Sequence, residues 1–187
     1  MSETVNRETM SEEELLERVM RGDRAAFGEI FNRHRQRAYA FAYQYLHSVE
    51  DAKDVVQDAF IKVLQNLHRF DRRRQFGPWL LTIVRNQCID HLRRNQRRPQ
   101  EELDRPMRDG GAVTADRELL RHEVWRALQR LSHDHREIIF LKDYQGHTYA
   151  EIADILGIPL GTVMSRLHHA RRNLAALLRG ERQSEDP

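Results

Sequence analysis

Along most of this chain apolar residues recur at intervals of three and four, and no stretch alternates apolar with polar in the manner of a strand. That periodicity predicts an all-α protein. Segments 13–20 and 25–45 carry it, with Gly22 and Asp23 as the break between them. A third helix is expected from about Glu50 to Leu67. Its apolar side holds Val55, Val56, Ala59, Phe60, Val63, Leu64 and Leu67, and its polar side holds Asp51, Asp54, Gln57, Asp58, Lys62 and Gln65. A loop, 68–77, then leads to a fourth helix from Pro78 to about Asn95. The pattern stops at Arg97. Residues 97–116 contain two of the five prolines and a Gly-Gly pair with little apolar order, which reads as a flexible linker. Beyond it, Leu120, Val124, Leu128 and Leu131 mark one helix and 137–143 another. The expected organisation is a disordered tail at 1–10, a helical domain at 11–96, the linker, a second helical domain at 117–180 and a disordered tail at 181–187.

The second domain ends in the most specific local signal, TYAEIADILGIPLGTVMSRLHHARRNLAALL from Thr148 to Leu178. Thr148 and Glu151 have capping-box spacing, so a helix should start near Tyr149. Gly157 suits the left-handed residue that closes it, and Pro159 fits at or near the start of the next. Two short helices about a tight turn make a helix-turn-helix. In the second of them Val163, Leu167, Ala170, Leu174 and Leu177 face a core, while Ser165, His168, His169 and Arg172 share the opposite side. No acidic residue occurs between Asp154 and Glu181, whereas Arg166, Arg171, Arg172 and Arg179 all do. A helix lying against phosphates has this charge. A solvated basic helix in an ordinary bundle has it too, but leaves the turn chemistry unexplained.

Composition adds limits. With 40% hydrophobic and 32% charged residues the chain suits a soluble globular protein, and its formal charge of +2 conceals an uneven distribution. Acidic residues gather at Glu12–Glu14 and Glu50–Asp58, basic ones at Arg72–Arg74, Arg93–Arg98 and Arg166–Arg172. Cys88 is the only cysteine, which excludes an internal disulfide and a thiolate metal cage and fits a cytoplasmic protein. In its helical pattern it reads as a small buried residue. No apolar run is long enough to cross a bilayer, so no membrane insertion is expected. His168 and His169 are adjacent on a helix and cannot aim at one ion, so no metal and no cofactor is implied. A glycine-rich phosphate loop, HExxH and a nucleophile constellation are absent, and nothing indicates an enzyme.

Three separated blocks carry a resemblance: SVEDAKDVVQDAFIKVLQNLHRF, FGPWLLTIVRNQCIDHLRR and YAEIADILGIPLGTVMSRLHHARRNL. Together, in this order and spacing, they resemble the extracytoplasmic-function sigma factors of bacterial RNA polymerase, a group of stress-response transcription factors. The first helical domain would be the sigma-2 bundle and the second the sigma-4 helix-turn-helix domain. The resemblance implies that Asp51, Asp54, Gln57, Asp58, Ile61 and Lys62 dock on the clamp helices of the largest polymerase subunit, and that the flap region is a further contact. It implies that loop 68–77, with Arg72, Arg73 and Arg74, and the fourth helix receive an unstacked base of the promoter −10 element, with Phe70, Phe76 and Trp79 stacking on it or walling the site, Asn86 near the captured base, and Arg85, Arg93, Arg94, Arg97 and Arg98 meeting phosphates. Read from pattern alone, Trp79 serves a core as well as a stacking face. For the −35 element the candidates are Thr162, Ser165, Arg166, His168 and His169, with Arg171 and Arg172 as phosphate clamps. His169 stands where the family often has arginine or lysine, which removes a fixed charge. The linker resembles a segment passing through the RNA-exit path, although a plain tether also explains it. An anti-sigma protein is the regulatory partner the resemblance implies. The competing reading is a free-standing helix-turn-helix regulator, which leaves the aromatic and arginine-rich loop before Pro78 unexplained.

Overall fold

The computed structural model describes residues 10–95 and 123–184, with the backbone alone at 181–184. The chain forms two compact units, Met1–Leu103 and Asp104–Pro187. Among the described residues there is no strand. The expected tail 1–10, except Met10, and the linker 97–116 lie outside them.

In the first unit the first three helices each start where a short polar side chain takes over an orphan amide. Ser11 and Glu14 form a reciprocal capping box on α1 (Glu12–Met20), with Glu14 N donating to Ser11 Oγ at 3.2 Å. Asp23 accepts from Ala25 N and Ala26 N to open α2 (Arg24–Leu46), and Ser48 accepts from Asp51 N to open α3 (Val49–Asn66). A 3-10 turn, Leu67–Arg69, ends α3. The fourth helix, α4 (Phe76–Asn95), begins two residues earlier than the proline suggested. Pro78 is the third residue of its first turn, where no amide partner is lost. Helices α1, α3 and α4 pack on α2, and α3 packs on α4. Leu15, Ile30, Phe41, Phe60, Val63, Phe76, Leu80, Val84 and Cys88 fill the core. Burial pushes the Cys88 thiol up to about 12, so it is an inert apolar residue.

The second unit contains helical residues 123–129 (α5), α6 (His133–Ile139) with a π-helical continuation Phe140–Tyr144, α7 (Tyr149–Leu156) and α8 (Leu160–Ser184). Helix α6 opens at His133, earlier than the expected 137, with Arg136 N donating to Ser132 O at 3.0 Å. Helix α8 continues through Ser184, into the segment expected as a tail, of which residues 185–187 lie outside the described ones. Ile138, Leu141, Ile152, Ile155, Val163, Leu167 and Ala170 form the core, whereas Leu174 and Leu177 are only half-buried.

Candidate nucleic-acid interface

Helix α3 turns Asp54, Gln57, Asp58, Ile61 and Lys62 to solvent. Ile61 is 47% exposed and Leu64 46%. Leu64 therefore leaves the core to which its spacing assigned it. The neighbouring helices cover the stripe of Val55, Val56, Ala59, Phe60 and Val63, and Leu64 falls beside that stripe. Asp51 is half-buried, with Oδ1 3.4 Å from His91 Nε2 on α4. Of the six residues assigned to docking, Asp51 is thus drawn toward the neighbouring helix.

The loop before α4 is a built structure. Asp71 Oδ1 accepts from Arg73 N at 3.0 Å and Asp71 O from Arg74 N at 2.9 Å, which closes a tight turn. Arg72 reaches back to α1, donating to Glu17 Oε1 at 2.9 Å and lying 3.2 Å from Met20 Sδ. Phe76 is 1% exposed and rests on the His34 ring at 5.1 Å. It is a core residue under the loop and offers no face to a base. Phe70 and Trp79 are half-buried, 4.9 Å apart between ring centres, and both touch Phe76. Beneath them His34 Nε2 lies 2.5 Å from Glu12 Oε2. That hydrogen bond, with the charge of His34 and Arg33, holds the Glu12 carboxyl below its ordinary value against the opposing effect of burial.

Between α3 and α4 runs an open groove of about 320 Å³, lined by Lys62, Asn66, Arg69, Trp79, Ile83, Asn86 and Gln87. A second hollow of about 690 Å³ adjoins it through Lys62 and Gln87, and adds Asp58, Asp90, Arg93 and Arg94. Asn86 and Trp79 are thereby brought together, and Lys62 stands between the outward side of α3 and the groove. The periodicity missed Asn66, Arg69 and Gln87. Gln87 had a signal: it is a buried polar residue beside Val84 and Cys88 on the core side of α4. Arg85 is half-buried, apart from the exposed Arg93 and Arg94.

The helix-turn-helix follows its local chemistry closely. Glu151 N donates to Thr148 Oγ1 at 3.2 Å and Thr148 N to Glu151 Oε2 at 2.7 Å, Gly157 closes α7 at φ 66°, and Pro159 O accepts from Thr162 N and Val163 N at the start of α8. Ser165, His168, His169 and Arg172 are exposed on α8; Thr162 is half-buried and its carbonyl accepts from Ser165 Oγ at 3.2 Å. Arg166 and Arg171 have partners inside the unit. Arg166 Nη1 lies 3.2 Å from Asp134 Oδ2, with its side chain 23% exposed. Arg171 grips Asp143 through Nε, at 3.1 Å from Oδ2, and through Nη2 to Oδ1. Bonding to Asp143 raises the Arg171 guanidinium further above its ordinary value. Both side chains fasten α8 to the α6 region, so their assigned contacts with DNA would compete with these pairs. Burial lifts the Glu137 carboxyl to about 8, against the attraction of Arg166. His133, Asp134 and Glu137 bring ligand atoms within 4.8 Å of one another, but the Arg166 guanidinium already neutralises Asp134 there.

A helical unit with an aromatic-walled groove is thus joined in one chain to a unit that carries a helix-turn-helix. Comparison with known families specifies both: Sigma-70 region 2 matches residues 30–98, and Sigma-70, region 4 matches residues 121–174. The ECF RNA polymerase sigma factor SigM of Mycobacterium tuberculosis is 37% identical over 92% of this chain and 87% of its own length. SigW of Bacillus subtilis is 31% identical over 88% and 95%, and the sigma-E factor of Escherichia coli is 34% identical over 88% and 92%. Among solved structures, CnrH in complex with the cytosolic domain of CnrY is 31% identical with a TM-score of 0.68, covering 90% of this chain and 97% of that one. The sigma factor RpoE of Bartonella quintana, in complex with the anti-sigma factor NepR, is 28% identical with a TM-score of 0.69 and covers 82% and 96%. The chain belongs to the extracytoplasmic-function sigma factors of RNA polymerase. Its function is that of a sigma factor in transcription initiation, and the matches span both helical units, which disfavours a free-standing helix-turn-helix regulator. No described helix is long and apolar enough to cross a membrane.

Proposed function

We propose that the chain recruits core RNA polymerase to promoters through three surfaces. The outward side of α3, with Asp54, Gln57, Asp58, Ile61 and Lys62, docks on the clamp helices of the largest subunit, and its exposed Ile61 and Leu64 supply the apolar contact that charge alone lacks. The groove between α3 and α4 receives an unstacked −10 base. Trp79 and Phe70 provide ring faces, Asn86 provides both a donor and an acceptor, and Arg69, Lys62, Arg93 and Arg94 provide charge for phosphates. On α8, Ser165, His168, His169 and Arg172 face the −35 major groove. The flap region is a further polymerase contact of the second unit. An anti-sigma protein is the expected regulator, since CnrH and the Bartonella RpoE are each described in a complex of that kind or with a cytosolic partner domain.

The observation that carries this reading is the groove at which Trp79 and Asn86 converge with Arg69 and Lys62. A helix-turn-helix alone gives duplex binding, whereas an aromatic groove with an amide and cations fits a base removed from the duplex. Holoenzyme reconstituted from core polymerase and this chain should start transcription on duplex promoters that core alone ignores. Permanganate footprinting should show unpaired thymines at −10. Initiation without such opening, or none above core, would defeat the proposal.

A further inference from the structure

The outward side of α8 carries a feature that phosphate binding does not use. Leu160 is 50% exposed and Met164 53%, and they stand one turn apart in the first two turns of the helix. Positions i and i+4 share a face, so the two side chains form one apolar step, continued by the exposed His168 a further turn along. Ser165 and His169 lie next to it on the outward side. No charged side chain of α8 competes for the same place at its start: Arg166 is held by Asp134, and Arg171 by Asp143. In a helix-turn-helix the N-terminal residues of the second helix are those that reach base edges. Of the groups displayed in the major groove, the thymine C5-methyl is the one that an apolar side chain recognises.

We propose that Met164, supported by Leu160, is a specificity-determining residue that reads a thymine methyl in the −35 element. This rests on the −35 assignment of α8 above. A thioether side chain with three rotatable bonds settles against a methyl without needing fixed hydrogen-bond geometry. Discrimination at that base pair then comes from the loss of an apolar contact, and it differs from the bidentate guanine readout an arginine would give. Polar readout is left to Ser165, His168 and His169.

The test uses holoenzyme and a duplex promoter library randomised across the −35 segment. Wild-type holoenzyme should enrich sequences with thymine at one or two fixed positions. Replacing each thymine by deoxyuridine deletes only the methyl, and at the position Met164 reads it should weaken binding about fourfold, the worth of one buried carbon. Met164→Ala should weaken binding to the thymine duplex by a similar factor and respond little to uracil, while Met164→Leu retains the thymine preference. Equal uracil sensitivity in wild type and Met164→Ala, or no enriched thymine at all, overturns the proposal. So does lost core-polymerase affinity with unchanged −35 preference, which would assign the apolar pair to a protein partner. If no −35 sequence of any kind is enriched over core alone, the −35 assignment itself has failed, and the two failures are distinguished.

Discussion

A buried carboxyl beside a guanidinium makes the second unit's stability depend on pH in a definite direction. Glu137 ionises at about 8 in the folded chain and near 4.5 when exposed, with burial as the cause and Arg166 opposing it. Between those values the folded chain keeps a proton on Glu137 that the unfolded chain has released, so the contribution of Glu137 to stability is greatest below 4.5, falls as pH rises and levels off above about 8, whereas Glu151, held below its ordinary value, acts in the opposite sense in acid. Glu137→Gln should flatten that slope. Arg166→Ala removes the attraction that assists ionisation, so the decline should extend to higher pH. Urea unfolding followed at Trp125 in a Trp79→Phe background, from about pH 5 to about pH 9, measures both; parallel curves for wild type and Glu137→Gln would refute the assignment. Arg166→Ala should also leave relative −35 preferences nearly unchanged, in contrast to Ser165→Ala, whose loss should relax discrimination by roughly 1–3 kcal/mol at the contacted base pair. Arg166 and Arg171 show what residue-level reading lacked. Their charge and spacing pointed to DNA, but the acids that hold them, Asp134 and Asp143, come from a part of the sequence that periodicity does not connect to α8.

Helices were legible wherever their signals are local. Thr148, Glu151, Gly157 and Pro159 act within one turn of themselves, and the helix-turn-helix appears where they place it. What a helix face meets is decided by other elements, so Leu64 and Phe76 were misassigned in opposite senses: Leu64 is exposed and Phe76 is buried. The groove was hidden for the same reason, because Asn66 and Arg69 meet Asn86 only when α3 packs on α4. On α3 the two faces should separate cleanly under mutation. Asp54→Lys with Asp58→Lys should reduce affinity for core polymerase while leaving helicity and melting unchanged, since both residues are exposed. Phe60→Ala should instead cost about 3–5 kcal/mol, because its ring is buried against Phe31 and Phe27 at 4.8 and 6.1 Å. A pull-down in which the double lysine variant binds core normally would remove the clamp assignment.

At the scale of the molecule the two units have separate cores, and the proposed roles put one element of promoter recognition in each: Asn86 lies in the first unit and Ser165 in the second. Changes at sites that share no partner contribute additively to a free energy. Asn86→Ala and Ser165→Ala should therefore weaken open-complex formation by amounts that sum in the double variant to within about 0.5 kcal/mol. Their dependence on the state of the DNA should nevertheless differ. Ser165 meets duplex DNA before and after opening, so a promoter with a pre-opened bubble at −10 should leave its defect unchanged. Asn86 meets a base only after that base has left the stack, and the bubble removes an unstacking cost of a few kcal/mol. Its variant should be partly rescued, with the lost base contact remaining as the residue of the defect. Equal rescue of both variants by the bubble would show that opening is not what Asn86 assists, and equal defects without any rescue would place its contribution before strand separation.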